Sequence, residues 1–348
     1  MTRTNSDPPG GARAGEVTIR PIAGPEEVEL FNRLPYALNH EMAGDLAAGR
    51  RRPSWMWMAL RGGRPVARLA WWARDGAAEP FLMDTFDLDE SAPDAVDVGE
   101  RLVRTALAAT VGDGVWPPQY LRFVPAAWRD DPVVRPAVEA RMAALERTGA
   151  RLFVERLRLE WRAGTPVPAP SGRLRFRATD RDEMRRLMAG VLEGTLDAHS
   201  QADLAEAVAE TAATEAAAGG EAGAGVREPG AGERALVAMR QYDGEFRSYA
   251  SPLEWHRVAE LPGGEGVGFV VPARNSYNAI IAYIGVLPAH RGKGYIDDIL
   301  AEGTRLLVAE ADPPRIRAST DLGNVPMARA FARAGYDDFE HQIDMVWR

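Results

Sequence analysis

The stretch "IGVLPAHRGKGYIDDIL", residues 284 to 300, decides the fold because it joins two periodic elements through a basic, glycine-containing loop. The apolar run "NAIIAYIGV" that leads into it predicts a strand ending before Pro288. After the loop, small or apolar residues recur at i, i+3, i+4, i+7 and i+11, which predicts a helix packed on a sheet by one face. These positions are Ile296, Ile299, Leu300, Gly303 and Leu307.

The loop between this strand and this helix has the features of an anion-binding site. A helix begins with unpaired backbone N–H groups and the positive end of its dipole, and glycine lets an anion approach those groups. Arg291 and Lys293 add positive charge, so we expect a pyrophosphate group to bind there. The nucleotide P-loop pattern is absent, and a plain turn with solvated basic residues is the alternative interpretation of the loop alone.

The loop also resembles motif A of the GCN5-related N-acetyltransferases, the GNAT superfamily. The pattern V-x-P-x-x-R-G-x-G-[YF] is matched by Val286, Pro288, Arg291, Gly292, Gly294 and Tyr295. The resemblance implies that loop residues, Lys293 and Ile296 included, hold the pyrophosphate of acetyl-CoA. It also implies that the strand donates an N–H at Val286 to the thioester oxygen. Ile296 departs from the glycine or alanine of the family, which would tighten the fit of the phosphates.

A second stretch, "RIRASTDLGNVPMARAFARAGY" at 315 to 336, resembles the family's N-x-x-A-x-x-x-Y-x-x-x-G-F segment. The matching positions are Asn324, Phe331, Gly335 and Tyr336. The family often uses the tyrosine of this helix to protonate the departing thiolate, and Phe331 cannot do so. The resemblance covers about residues 172 to 348 and implies that Asn324 and Phe331 contact coenzyme A.

The first half of the chain repeats the order of strands and helices seen in the second half. It opens with "VTIRPI", a helical "PEEVELFNRL" and the hairpin "SWMWMALRGGRPVARLAWWAR", and a match at domain scale indicates a tandem duplication. The stretch in the place of the anion-binding loop, "DLDESAPDAVDVGERL", is acidic, and carboxylates repel a pyrophosphate. We therefore expect a degenerate GNAT-like domain without a coenzyme A loop.

We expect an α/β (α+β) protein with two tandem GNAT-like domains, each a mixed, mostly antiparallel sheet flanked by helices. The Pro- and Gly-rich "GTPVPAPSG" indicates a linker between them. The predicted organisation is a disordered tail at 1–15, the degenerate domain at 16–163, the linker at 164–171, and the catalytic domain at 172–348. An insertion at about 210–232 has few large apolar residues and is predicted to be flexible.

Composition narrows the classes of partner and site. A net charge of -8 argues against a nucleic-acid partner, and the absence of cysteine excludes disulfides, thiolate nucleophiles and Cys-ligated zinc. The five histidines are scattered and "HEMAG" lacks the H-E-x-x-H spacing, so no metal site is expected. No secretory signal or membrane-spanning apolar run is present, so we expect a cytoplasmic protein without a membrane partner.

Acyl transfer to an amine needs a proton acceptor, because the amine is protonated at neutral pH. Glu193 and Asp197 in "LEGTLDAHS" are the candidate bases, with His199 beside them, although solvated loop carboxylates are an equal alternative. Tyr295 is the candidate acid because it adjoins the cofactor loop, and Asn324 is a candidate positioning residue. Weaker candidates are Asp321, Glu340 and His341 for the base, and Tyr283 and Tyr336 for the acid.

Together these features predict an acetyl-CoA-dependent N-acetyltransferase. The expected acceptor is the primary amine of a small, cationic molecule, such as an amino sugar, an aminoglycoside-like compound or an amino-acid derivative, which attacks the thioester directly. Two alternatives stay open: a tandem acetyltransferase that resembles mycothiol synthase, and a non-catalytic acyl-CoA-binding sensor or scaffold. A homodimer is also left open.

Overall fold

The computed structural model describes residues 15–112, 114–218, 227–246, 249–275 and 277–347. The chain divides into two compact units, which we call unit 1 (residues up to 154, with the chain end from 342) and unit 2 (155–341). The expected tail lies outside the described residues except for Gly15. Among the described residues, no helix is both long and apolar enough to cross a bilayer.

The boundary between the units differs from the linker expected at 164–171. Residues 151–162 form one uninterrupted strand, and the segment after it is held within unit 2. Ala163 N–H donates to the carbonyl oxygen of Pro314 at 3.0 Å, and Arg305 donates to the carbonyl oxygen of Pro168 at 3.1 Å. The Pro- and Gly-rich composition therefore marks a segment packed within unit 2, in which the Pro168 carbonyl oxygen accepts from a side chain.

Unit 1 is a sheet with helices, and its strands follow the order β1–β2–β3–β4–β5. Neighbouring strands are antiparallel except β4 and β5, which are parallel. The expected helix "PEEVELFNRL" is reduced to one α-helical turn after a 3₁₀ turn. The elements are β1 Val17–Pro21, α1 Val28–Phe31, α2 Met42–Ala47, β2 Met56–Arg61, β3 Arg64–Trp72, β4 Leu82–Leu88, α3 Ala95–Thr110, β5 Tyr120–Pro125, α4 Val134–Glu146 and the start of β6 Arg151–Arg162.

The tryptophans of the first hairpin pack in the interior of unit 1. Trp55, Trp57 and Trp71 are buried in its largest apolar cluster, so they serve as core residues. The chain end belongs to the same unit, where Trp347 Nε1 donates to Thr148 Oγ1 at 2.9 Å. The turn of the hairpin is made by Gly62 and the next glycine, both at positive φ, as the Gly-Gly pair predicts.

Unit 2 repeats the pairing pattern of unit 1. Its strands follow the order β6–β11–β10–β9–β8–β7, and neighbours are antiparallel except β10 and β11. The expected fold class, mostly antiparallel sheets flanked by helices, is confirmed. The elements of unit 2 after β6 are β7 Arg175–Ala178, α5 Arg181–Val191, α6 Ala198–Ala217, α7 Ala231–Glu245, β8 Arg257–Glu260, β9 Gly266–Arg274, β10 Ala279–Val286, α8 Tyr295–Ala311, β11 Arg315–Asp321, α9 Val325–Arg333 and the first part of β12 Asp337–Val346, whose remainder belongs to unit 1.

Asp180 caps the start of helix α5, and its carboxylate accepts from Glu183 N–H at 2.8 Å. The insertion expected at about 210–232 is helical at both ends, because α6 continues to Ala217 and α7 begins at Ala231. The middle of that insertion, 219–226, lies outside the described residues.

Two glycines bring helices close to the sheet of unit 2, at β10 and β9. A Cβ atom on Gly285 would lie 2.9 Å from the side chain of Val191, and one on Gly303 would lie 2.7 Å from that of Val270. Only a residue without a side chain allows such contact. The first contact holds the C-terminal end of α5 against the end of β10, and the second seats α8 on the sheet.

Candidate active site

The predicted anion-binding loop joins β10 to α8. A 3₁₀ turn at Pro288–His290 follows the strand, and Gly292 and Gly294 have φ of 76° and 75°. These left-handed conformations are costly for residues with a side chain. The two glycines turn the chain so that residues 292–296 present their backbone N–H groups at the start of the helix.

Those N–H groups are free to bind an anion. No acceptor within the described part of the chain receives a hydrogen bond from the N–H groups of residues 292–296. A Cβ atom on Gly292 would meet no atom within 4 Å, so the space beside the loop is open. Unpaired amides, the positive end of a 17-residue helix and an open approach fit a pyrophosphate.

Two carboxylates lie in the first turn of α8, where they would repel an anion, but arginines neutralise both. Asp297 pairs with Arg333 at 2.6 Å, and Asp298 pairs with Arg173 at 2.6 Å. Arg173 also donates to the carbonyl oxygens of Lys293 and Gly294 at 3.0 and 3.1 Å. Arg173 is not among the residues that the sequence predicts for this loop, because it lies near the start of unit 2 and 120 residues from Lys293.

The guanidinium of Arg291 faces backbone carbonyls. Nε donates to Val286 O at 3.1 Å, Nη1 to Gly194 O at 3.3 Å and Nη2 to Val191 O at 2.8 Å. Two of these carbonyls belong to the last residue of α5 and the loop after it, where helix carbonyls lack intrahelical partners. Arg291 therefore ties the anion-binding loop to the segment that follows α5, while Lys293 Nζ donates to Ala289 O at 3.0 Å.

Strands β10 and β11 separate soon after they meet. They pair only through Ala279 with Ile316 and Ile280 with Arg317, so residues 281–286 have no partner in β11. On its other edge β10 pairs with β9 throughout, with a bulge between Ile281 and Tyr283. The free edge of β10 can pair with an extended ligand, and it includes Val286, the residue expected to donate an N–H.

A charged cluster lies at the carboxyl end of β11, and we call it the Asp197–Asp321 cluster. It consists of Asp197, His199, Asp321 and Arg156, the residue opposite Asp321 in β6. Arg156 is 3.1 Å from Asp321 Oδ1, 3.4 Å from Asp197 Oδ2 and 3.5 Å from His199 Nδ1. Ala198 N–H donates to Asp321 Oδ2 at 2.6 Å, so the start of α6 is fixed to the end of β11.

Burial sets the protonation states within this cluster. Burial and the charge of Arg156 lower the pKa of His199 to about 4, so its imidazole is neutral at pH 7. Burial raises the pKa of Asp321, although the Ala198 N–H and Arg156 favour its charged form. The cluster then holds two carboxylates, one guanidinium and one neutral imidazole, and it can attract a cation and accept a proton.

The same donors could in principle bind a metal, since donor atoms of Asp197, His199 and Asp321 lie within 4.8 Å of one another. Arg156 contacts all three. Its fixed positive charge competes with a metal ion for these atoms. A metal ion would have to displace Arg156 from these atoms, whereas an ammonium group needs only one additional hydrogen bond. The arrangement therefore suits an ammonium group better than a metal ion.

Three other residues that the sequence predicts for the site lie at separate places in unit 2. Glu193 is largely exposed and lies 3.5 Å from Arg234. Asn324 caps α9, with its side chain accepting from Met327 N–H at 3.4 Å. Tyr295 is half-buried at the first position of α8, with the Arg173 guanidinium 5.1 Å from its ring centre. None of these three belongs to the Asp197–Asp321 cluster.

The aromatic residues considered for the site mostly pack against other side chains in the interior. Phe331 is buried in the core of unit 2, and Tyr336 lies edge-on to it with ring centres 5.1 Å apart. Burial raises the pKa of Tyr336, and its hydroxyl is 2.8 Å from Thr304 Oγ1. Tyr283, beside the bulge in β10, stacks on Phe269 at 5.6 Å.

The two candidates on β12 hold that strand to β6. Glu340 forms an ion pair with Arg158. His341 Nδ1 lies 2.6 Å from Glu155 and Nε2 lies 3.0 Å from Asp338. Both side chains are thus engaged in pairs that stabilise neighbouring strands.

Arg156 is not among the residues predicted for the site, because the domain bounds expected from the sequence place its strand in the first domain. The signal was present in the period-two pattern of "ERLRLEW". Leu157, Leu159 and Trp161 are buried in the core of unit 2, so Arg156, Arg158 and Glu160 lie on the other face of the strand. Such a charged face on a strand inside a sheet requires partners, and Asp321, Glu340 and Arg317 provide them.

In unit 1 the corresponding gap between strands is filled by side chains of the chain itself. Strands β4 and β5 pair only at Met83 and Tyr120. Beyond that point Arg122 reaches back from β5 to the carbonyl oxygen of Phe86 at 3.4 Å and to Asp87 at 2.7 Å. The ring of Tyr36 lies 3.5 Å from the Arg122 guanidinium, and its hydroxyl accepts from Phe123 N–H at 3.3 Å.

Several solved structures that are similar to this chain are GNAT proteins. A GCN5-related N-acetyltransferase from Sphaerobacter thermophilus is 16% identical over 95% of this chain and 96% of its own, with a TM-score of 0.51. A tandem GNAT protein from the clavulanic acid biosynthesis pathway is 15% identical over 95% of this chain and 98% of its own, with a TM-score of 0.51.

A third similar structure is the GCN5-related glucosamine N-acetyltransferase region of a fungal multi-domain β-N-acetylglucosaminidase. It is 13% identical over 96% of this chain but 38% of its own, with a TM-score of 0.53. No protein-family model matches the sequence, and no curated protein matches it. At these identities the likeness shows the fold, and the chain has the fold of tandem GNAT proteins.

Proposed function

We propose that this chain, which has the tandem GNAT fold, is an acetyl-CoA-dependent N-acetyltransferase whose site lies in unit 2. The observation that carries the proposal is the combination of the free N–H groups at 292–296 with the open edge of β10 next to them. The first fits a pyrophosphate and the second fits an extended pantetheine arm. Acetyl-CoA would supply the activated acyl group as a thioester.

The protein's own residues would contribute binding, orientation and proton transfer. Lys293 adds positive charge beside the free amides, and the amide at Val286 is the candidate donor for the developing oxyanion. The Asp197–Asp321 cluster is the candidate proton acceptor for the amine. Of its two carboxylates, Asp197 is the more exposed, with 30% of its side chain accessible against 4% for Asp321, so Asp197 is the one that can contact the amine.

The acceptor proposed from the sequence is the primary amine of a small cationic molecule. The net negative charge of the cluster supports this class, because an ammonium group is drawn to it before it loses a proton. An acceptor like that of a mycothiol-synthase-like tandem acetyltransferase falls in the same class. The negative cluster also favours a small-molecule partner over nucleic acid.

The second candidate function, a non-catalytic acyl-CoA-binding sensor, is favoured by one observation. Phe331 and Tyr336 are both buried, and Tyr336 is hydrogen-bonded to Thr304, so neither can protonate a departing thiolate. A sensor needs the free amides and the open strand edge but no acid. Tyr295, which is half-buried at the cofactor loop, is the side chain on which the enzymatic proposal then depends for an acid.

Thiol release from acetyl-CoA, measured with a panel of primary amines, tests the proposal. Binding of coenzyme A should be measured by calorimetry on the same protein. Amine-dependent thiol release supports an acetyltransferase, whereas binding without release across the panel supports the sensor. Absence of coenzyme A binding would contradict both.

Two variants assign the chemistry to named residues. Asp197→Asn should lower kcat by about tenfold or more, within the range of general-base contributions, and leave the affinity for coenzyme A unchanged. Tyr295→Phe should also lower kcat if its hydroxyl is the acid. Glu193→Gln is the matched control, since Glu193 lies outside the cluster and should leave the rate unchanged.

A further inference from the structure

A guanidinium from the start of unit 2 binds two carbonyl oxygens of the anion-binding loop. Arg173 lies just before β7, and it donates to Lys293 O at 3.0 Å and to Gly294 O at 3.1 Å. The same side chain pairs with Asp298 at 2.6 Å and lies 5.1 Å from the centre of the Tyr295 ring. Arg173 is therefore in contact with both the loop and the first turn of α8.

Each of these carbonyls shares a planar peptide group with one of the free amides. The Lys293 carbonyl belongs to the same group as the Gly294 N–H, and the Gly294 carbonyl belongs to the same group as the Tyr295 N–H. In a trans peptide the C=O and N–H bonds point in opposite directions. By holding the two oxygens, Arg173 directs the two N–H groups away from itself, so a phosphate oxygen can approach them from the other side.

The Lys293–Gly294 peptide depends on this contact more than the next peptide does. Gly294 O also accepts from Asp297 N–H at 3.2 Å, so the start of α8 helps to hold the second peptide. For Lys293 O, Arg173 is the one donor among the described residues. The glycines on both sides of Lys293 have φ of 76° and 75°, and a peptide next to glycine can rotate because glycine adopts either sign of φ. Rotation would point a carbonyl oxygen at the anion instead of an N–H.

A second arginine pairs with the first turn of α8 but lacks the contacts with the loop. Arg333 lies 2.6 Å from Asp297 and has 53% of its side chain exposed, against 47% for Arg173. Within the described part of the chain, its side-chain hydrogen bonds go to the Asp297 carboxylate and not to a loop carbonyl. The two arginines thus match in charge and exposure and differ in their hold on the peptide groups.

We propose that Arg173 is a positioning residue for coenzyme A, because it holds the Lys293–Gly294 peptide so that the Gly294 N–H faces the pyrophosphate. Arg173 acts through the backbone of the loop and is not itself a ligand of the cofactor. This inference rests on the proposed function and adds a determinant of coenzyme A affinity that lies outside the loop.

Calorimetry with coenzyme A on matched variants tests the inference. Arg173→Met should raise Kd at least about tenfold, which is the effect of one charge-assisted hydrogen bond. Arg333→Met removes an equal charge from the same helix turn and should raise Kd no more than about threefold, because an exposed charge is screened. Equal losses in the two variants would overturn the inference and leave the proposed function intact. Absence of binding to the wild type would overturn both.

A double variant separates position from charge. Arg173→Met combined with Asp298→Asn has the same net charge beside the loop as the wild type, because it lacks both members of the ion pair. Kd should stay at least about tenfold above that of the wild type, since Lys293 O still lacks its donor. Recovery of wild-type affinity would show that Arg173 acts only by neutralising Asp298, and it would refute the positioning role.

Dephospho-coenzyme A tests whether Arg173 contacts the cofactor itself. This probe lacks the 3′-phosphate but keeps the pyrophosphate, so Arg173→Met should weaken its binding by the same factor as that of coenzyme A. A much smaller loss would mean that Arg173 binds the 3′-phosphate, and the inference would be wrong. Arg173→Lys keeps the charge without the planar fork that reaches both carbonyls, and its Kd should stay at least about threefold above that of the wild type. Full recovery in Arg173→Lys would also contradict the positioning role.

Discussion

Nη2 of Arg291 donates to the carbonyl oxygen of Val191 across 2.8 Å, which joins the cofactor loop to the C-terminal end of α5. The sequence places Arg291 in a pattern that suggests a phosphate ligand, but its three hydrogen bonds go to carbonyl oxygens. The free amides and Lys293 remain available to an anion. Arg291 thus acts first on the shape of the loop and on the position of the segment that leads to Asp197.

The first prediction separates the two basic residues of the loop. Arg291→Met removes three hydrogen bonds, and we expect the free energy of unfolding to fall by about 1–2 kcal/mol. Lys293→Met removes one exposed contact, so stability should not change, but affinity for coenzyme A should fall by about fivefold at low salt. Chemical unfolding and calorimetry on both variants measure this contrast.

Hydrogen exchange gives the same test without an acceptor amine. In the wild type, coenzyme A should slow amide exchange in residues 192–198, because Arg291 connects this segment to the cofactor loop. In Arg291→Met that protection should be lost even at saturating ligand, whereas Lys293→Met should retain it. Equal protection in the two variants would contradict the connecting role.

The second prediction concerns the number of ligands per chain. Arg122 and Tyr36 lie in the gap between β4 and β5, so a pantetheine arm would have to displace them before it could pair with β4. We expect calorimetry to find one coenzyme A per chain, and Lys293→Met to weaken that single event. Two binding events of similar heat would show that unit 1 also takes the ligand.

The third prediction is that the Arg122 contact stabilises unit 1. Arg122 and Asp87 are both buried, and Arg122→Leu leaves a buried carboxylate with one fewer partner. The loss should be about 3 kcal/mol in the free energy of unfolding. Arg135→Leu is a control, because Arg135 pairs with Glu139 on the exposed face of α4 and should cost less than about 0.5 kcal/mol.

The sequence predicts strongly periodic elements well and long-range contacts poorly. β10, the loop and α8 follow from local signals: an apolar run, two glycines and helical spacing. The partners of Arg291 depend on how Val191 packs against Gly285, which no local pattern encodes. Arg156 and Asp321 are far apart in sequence and meet because β6 pairs antiparallel with β11, so the cluster emerges only from the register of the sheet.

The fourth prediction concerns the contribution of His341 to stability and its dependence on pH. Hydrogen bonding to Glu155, and then to Asp338, raises its pKa in the folded state. The stabilisation from its charged form is therefore present below the unfolded value of about 6.5 and is lost as pH rises through the folded value. The stability difference between wild type and His341→Gln should be largest at pH 6 and shrink towards pH 9. A difference that does not vary with pH would contradict this assignment.

The fifth prediction concerns His256, whose pKa is shifted in the opposite direction from that of His341. Burial lowers its pKa to about 4, in a site bounded by Tyr242 and Phe246 with ring centres 6.1 and 6.4 Å away. Between pH 6.5 and 4 the unfolded chain binds a proton at this residue that the folded chain does not, so stability falls on acidification. His256→Phe and His256→Gln should both reduce that slope by about one proton, or roughly 1.4 kcal/mol per pH unit. Denaturant unfolding at pH 4.5, 5.5 and 6.5 measures this slope of stability against pH. The two variants differ in packing, but both lack the titrating group. Unequal slopes in the two variants would therefore contradict the assignment.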